Sequence, residues 1–164
     1  MEIVMDSSSV ILLAKTTTLE TAMRKHQIEI TNEVLSEIMQ GKKFMCEDAL
    51  LVQRLNESGT IKIANHNEKL THKLMQNFGI EIGEASTISA AIEKNKIVAT
   101  DDRQGRKTAK INGLKVTGSI GIIIGLFKDK KIKYEKAMSA LNTLTREGYF
   151  NPYLIEKAKE EITK

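Results

Sequence analysis

Tryptophan is absent from this chain, and proline and cysteine each occur once, as Pro152 and Cys46. A lone cysteine excludes an internal disulfide and fits a reducing cytoplasm. With no histidine near it in sequence, Cys46 is expected to be a small core residue rather than a nucleophile. Three tyrosines and four phenylalanines are too few for base stacking to be a major mode of nucleic-acid binding. No apolar run is long enough to span a bilayer; the longest, "SIGIIIGLF" (119–127), is broken by glycines and followed by "KDKKIK". Neither a charged leader nor a cleavable apolar segment opens the chain, so a cytoplasmic location is expected. His26, His66 and His72 are scattered, with His72 on the polar side of its helix, which speaks against zinc. "TGSIGIIIG" (117–125) lacks the lysine and hydroxyl pair of a phosphate-binding loop and reads as a helix start packed on a sheet.

The 164 residues make one domain's worth of chain, and a hydrophobic fraction of 41% is enough to build a real core. A net charge of +4 permits a polyanionic partner without requiring one.

Short apolar stretches alternate with helical patterns. "EIVM" (2–5), "QIEI" (27–30), "TIKIA" (60–64), "KIVAT" (96–100) and "LKVT" (114–117) read as strands. Residues 7–25 read as mostly helical, broken at "KTTTL", with Ser7 to Ser9 as caps. Helices follow from Thr31 to Gly41, over "EDALLVQRLNESG", "NEKLTHKLMQNFG" and "GEASTISAAIEKN", after Asp102, and from Ser119. Two closing helices, the second begun by Pro152, form a hairpin. Alternation of this kind predicts a parallel sheet covered on both faces. We divide the chain into residues 1–130 and a helical extension, 131–164, packed on the same domain.

In such sheets ligands bind beyond the carboxyl ends of the strands, where Asp6, Asp101 and Asp102 fall. Glu84 lies within the apolar stripe Ala85, Ile88, Ala91 and Ile92 of its helix, where a carboxylate needs a partner, a raised pKa or a metal. Glu37 lies about 60° from the apolar arc of its helix, while Glu33 points nearly opposite and is expected to be solvated. Arg103, Arg106, Lys107 and Lys110 share one helical face, either a solvated stripe or a set of phosphate contacts. Gly105 weakens that helix by about 1 kcal/mol.

Taken in order, "VMDSSSVILLAK", "VLSEIMQGK" (34–42), "GEASTISAA" (83–91) and "VATDDRQGRKTAKINGLKVTGSIGII" (98–123) resemble the PIN-domain nucleases, including the VapC-toxin-like branch. The resemblance implies a three-layer α/β/α sandwich with a mostly parallel sheet, to which the C-terminal hairpin is added. By motif it places the catalytic acids at Asp6, Glu37, Glu84 and Asp102, with Asp6, Glu84, Asp102 and the less constant Asp101 around metal. Ser8 and Thr100 fall on small hydroxyl positions nearby. Many relatives carry aspartate where this chain has Glu84, and the tail after 130 is less typical of the compact toxins.

Carboxylates converging without a cation would raise each other's pKa, and all-oxygen ligation favours Mg²⁺ or Mn²⁺. The resemblance further implies hydrolysis of RNA through a metal-activated water, a homodimer and, for a toxin, an antitoxin protein. Two other classes compete: a non-catalytic PIN-like module binding RNA or protein, and a phosphoryl-accepting receiver domain. The receiver would want an acidic pair where this chain has "MDSSS".

Overall fold

β-rich runs of four or five residues, each followed by an amphipathic helix, fold here into a single parallel sheet. The computed structural model describes residues 1–42 and 46–164. Five strands, β1 (Glu2–Met5), β2 (Gln27–Ile30), β3 (Lys62–Ile63), β4 (Ile97–Ala99) and β5 (Val116–Thr117), run in the order β3-β2-β1-β4-β5. Central β1 sets Val4 opposite both Glu29 and Val98.

Because successive strand residues face opposite sides, β1 feeds two cores. Ile3 and Met5 join Val10 and Leu13 of α1 (Ser7–Lys15), Leu19 of α2 (Leu19–Lys25) and Val34 of α3 (Asn32–Lys42). Val52 of α4 (Glu47–Glu57) extends this layer. Val4 instead joins Leu74 of α5 (Glu68–Phe78), Ile88 of α6 (Ile82–Lys94) and Ala109 of α7 (Arg103–Ile111). Each large apolar side chain buried this way contributes about 1.5–3 kcal/mol. The result is the expected three-layer sandwich.

Ile123 of α8 (Ser119–Lys128) belongs to the first core. The hairpin of α9 (Tyr134–Glu147) and α10 (Pro152–Thr163) buries Leu141, Leu144, Ile155 and Ile162 in that same cluster. Asn151 caps α10 through its side chain and Pro152 opens it. Among the described residues, no helix is long and apolar enough to cross a membrane.

Three expectations need correction. The stretches 60–64 and 114–117 pair over only two residues each, because they are edge strands with a neighbour on one side. α3 runs through Gly41 to Lys42. Cys46 is exposed, since it stands at the start of α4, ahead of the face that packs.

Candidate active site at the carboxyl edge of the sheet

All five strands aim their carboxyl ends at one edge, and the register Met5–Ala99 sets the end of β1 beside the end of β4. The Asp6 N–H donates to the Ala99 carbonyl at 2.9 Å, which locks the two strand ends together. Asp6 is 2% exposed and caps α1. Its Oδ2 accepts from Thr100 Oγ1 at 2.6 Å and Ser8 Oγ at 3.2 Å, and its Oδ1 from the Ser8 N–H at 3.3 Å. The serines therefore do not cap the helix, as expected of them. Fanned by the helical turn, they serve different acids: Ser7 Oγ lies 2.9 Å from Glu37 Oε2 and 3.1 Å from Asp6 Oδ1, and Ser9 Oγ donates to Asp101 Oδ2 at 2.7 Å.

Glu37 reaches from α3 to the N-terminus of α6, where the Gly83 N–H donates to its Oε1 at 3.1 Å. Burial pushes its pKa up, helped by the Asp6 and Glu81 charges and opposed by the bonds from Ser7 and Gly83. Glu84, in the first turn of α6, accepts from the Glu81 N–H at 3.2 Å, a favourable place at the positive end of the helix dipole. Burial still dominates, and with Asp102 and Asp6 close by the Glu84 carboxyl is pushed up to about 8. Asp102 is exposed and caps α7 through the Gly105 N–H at 2.8 Å. Burial works against its ionisation, but bonds from the Glu84 carboxyl and the N–H groups of Gly105, Gln104 and Arg103 prevail, and its pKa is lowered. Of the two, Glu84 has the raised pKa and Asp102 the lowered one, so Glu84 is the member that takes up a proton first.

Asp101, also in the expected metal set, is held by other partners. Its side chain turns away from Asp102 and accepts from the Ser119 N–H, at 3.0 Å to each oxygen, and from Ser9. It thus ties α8 to α1, while burial raises its pKa. Arg106 is likewise partly committed, since Nη1 donates to the carbonyls of Thr100 and Thr117, each at 2.9 Å. Arg103, Lys107 and Lys110 are exposed. Glu33 is not solvated: it is half-buried and pairs with His66 Nε2 at 3.0 Å. A groove of about 1180 Å³ lies beside the acids and meets them at Asp101.

The profile of a PIN-domain family, DUF3368, matches residues 2–164. The chain belongs to the PIN-domain family. The crystal structure of PAE2754 from Pyrobaculum aerophilum is similar in fold: TM-score 0.55, 14% identity, covering 72% of this chain and 90% of that one. No curated protein matches the sequence. PIN domains are in general nucleases that use divalent metal ions, so this PIN domain has a nuclease fold.

Among the described residues, no three acidic, histidine or cysteine side chains form a preformed metal cage. The donor set nevertheless suits a hard divalent ion. Asp6, Glu84 and Asp102 offer only oxygen, and the negative charges of Asp102 and Asp6 bear on Glu84.

Two glycines of this PIN domain, Gly83 and Gly105, leave room for the acids, a role their positions in the sequence do not state. A Cβ on Gly83 would run into the Glu37 carboxylate, and one on Gly105 would stand 2.9 Å from Glu84 Oε1. A glycine inside a helical pattern is the available signal, because close approach is one reason to forgo a side chain. Gly83→Ala should leave the melting temperature nearly unchanged, since helix propensity gains up to about 1 kcal/mol while a flexible carboxylate is displaced. Any metal-dependent cleavage should fall about 10–100-fold, the size of effect seen when a group supporting a metal site is disturbed. Calorimetry beside kcat/KM checks this; unaltered cleavage would remove Glu37 from the chemistry.

Proposed function

We propose that this PIN domain is a Mg²⁺- or Mn²⁺-dependent endoribonuclease, and that Asp6, Glu37, Glu84 and Asp102 carry the reaction. The observation behind this reading is convergence: Thr100 Oγ1 donates to Asp6 Oδ2 at 2.6 Å and accepts from the Asp102 N–H at 3.2 Å, and Glu84, its carboxyl pushed up beside Asp102 and Asp6, is where a divalent cation would relieve repulsion. Asp6, Glu84 and Asp102 would hold the ion, and Ser8 and Thr100 keep Asp6 aimed at it. When bound, the ion would lower the pKa of a water and offset charge on the attacked phosphodiester. Glu37, with its raised pKa and its anchors on Ser7 and Gly83, is suited to take a proton from that water. Arg103, Lys107, Lys110 and the free N–H groups of Arg106 would hold flanking phosphates. Attack of water on phosphorus with the 3′ oxygen as leaving group would leave a 5′-phosphate and a 3′-hydroxyl, the outcome the family resemblance implies.

Purified protein should cleave single-stranded RNA with Mn²⁺ or Mg²⁺ and stop with EDTA. Saturating metal should raise the melting temperature, by about 2.7 kcal/mol of stability at one hundred times Kd. A flat thermal response across millimolar Mn²⁺ would count against the site.

The absence of a preformed three-acid cage among the described residues favours a second reading, a PIN-like module that binds RNA or protein without turnover. RNA binding with no cleavage under any divalent metal would select it. The finer reading within the first is a cytoplasmic, homodimeric toxin paired with an antitoxin. Growth arrest on expression, relieved by a short neighbouring gene, tests that, and sedimentation tests the dimer.

A further inference from the structure

The groove beside the acids has walls from distant parts of the chain. α7 supplies Arg103, Lys107 and Lys110; β5 and α8 supply the floor, with Val116, Ile120 and Ile124. The far wall is the C-terminal hairpin, through Tyr149, Phe150, Leu154 and Lys157. At about 1180 Å³ it exceeds the roughly 300–1,000 Å³ of small-ligand pockets, so a polymer suits it better than a metabolite.

Its charge is one-sided. Arg103, Lys107, Lys110 and Lys157 form no ion pair with the described residues. The acids that line it are already engaged: Glu161 pairs with Lys128 at 2.7 Å, and Asp101 holds Ser9 and Ser119. In the turn between α9 and α10 the two aromatics divide. Phe150 packs against the core, whereas Tyr149 stands fully exposed, its ring free on both faces. At its other end the groove reaches Asp101, whose N–H donates to Ser8 Oγ at 3.0 Å, the hydroxyl that holds Asp6.

We propose that the C-terminal hairpin is the outer wall of a single-stranded RNA channel, in which Lys157 holds a backbone phosphate and Tyr149 stacks on a base. The channel rests on the ribonuclease reading, for it brings a strand to the edge of the acidic site at Asp101. Phosphates meet the cations of both walls, and bases lie on the apolar floor. Aromatics are too few in this chain for a stacking platform, but one exposed ring at a channel mouth can stack one base. An acidic peptide would match the cations equally well but has no planar base to lie on the exposed Tyr149 ring, so Tyr149→Ala tells the two apart.

The test uses full-length protein in EDTA and a fluorescein-labelled single-stranded RNA of about twelve nucleotides. Lys157→Ala should weaken binding and lower the slope of log affinity against log salt by about 0.7. Tyr149→Ala should weaken binding at least about fivefold and leave that slope alone. Both side chains are exposed, so both variants fold. If both bind like the parent while Mn²⁺-dependent cleavage persists, the channel is wrong and the ribonuclease reading stands. Binding that depends on both residues without cleavage under any metal keeps the channel and removes the ribonuclease. A parent that neither binds nor cleaves overturns both. Tyr149→Ala changing the sedimentation coefficient with no effect on RNA would make this face a contact between copies, which also overturns the channel.

Discussion

Asp102→Asn is expected to lower metal-dependent cleavage by at least about 100-fold, the upper end of what even residues behind a metal ligand cost when removed. The fold should hardly notice. Asparagine is as good an N-cap as aspartate, and its side-chain oxygen can keep the bond from the Gly105 N–H that now measures 2.8 Å. Asp102 is exposed, so no buried charge is orphaned. Asp6→Asn should cost similar activity with a different stability signature. Asp6 is buried and accepts from Ser8 N–H, Ser8 Oγ and Thr100 Oγ1, and one of its oxygens would become an NH₂ that must face those groups. A mismatch of this kind in a buried network costs about 1–3 kcal/mol. Urea titrations beside cleavage assays separate the two: Asp102→Asn inactive at parental stability, Asp6→Asn inactive and weaker. Parental cleavage by both would trace the activity to a contaminating nuclease.

The acids were legible because an acid at a strand end or in an apolar helical stripe is costly, and cost shows in a pattern. Asp6, Glu84 and Asp102 could each be picked out from their own segment. What supports them could not. Gly83 is shaped by Glu37, forty-six positions earlier: a glycine inside a helical pattern hints at a close approach, but nothing near residue 83 says to what. Glu33 was misplaced for the same reason: a helical wheel weighs a residue against its own helix, and His66 arrives from the loop before α5. Position at the strand end alone does not separate Asp101 from Asp102; the family resemblance does, giving the metal place to Asp102. They differ because successive residues leaving a strand point to opposite sides, one to the first turn of α8 and one to the cap of α7. The alternation of strands and helices follows from periodicity, whereas sheet order and the ends of edge strands depend on pairing partners that local sequence does not contain.

The second large effect is on protons. In metal-free protein the folded state holds a proton on Glu84 up to about pH 8, whereas the unfolded chain releases it near the ordinary value of 4.5. Between those values the native state binds the extra proton, so stability falls as pH rises, and the loss is complete above about pH 8. Glu37 and Asp101, also raised, act in the same direction. His26 acts the other way: burial lowers its pKa below 6.5, so its contribution grows as pH climbs to about 6.5 and is then constant. The clean window is therefore about pH 6.5 to 8, where urea midpoints should drift downward without metal. Mn²⁺ must displace the Glu84 proton to bind, so calorimetry in buffers of different ionisation enthalpy should record release of close to one proton per site at pH 7. The release should vanish above pH 9, where Glu84 has already lost its proton. Glu84→Gln keeps the neutral hydrogen-bonding shape and should reduce the drift to what Glu37 and Asp101 leave, and lower the proton release, while weakening Mn²⁺. Tight Mn²⁺ binding at pH 7 with no proton released would mean that Glu84 is ionised without metal or stands outside the site, and the electrostatic case for a cation here would fall with it.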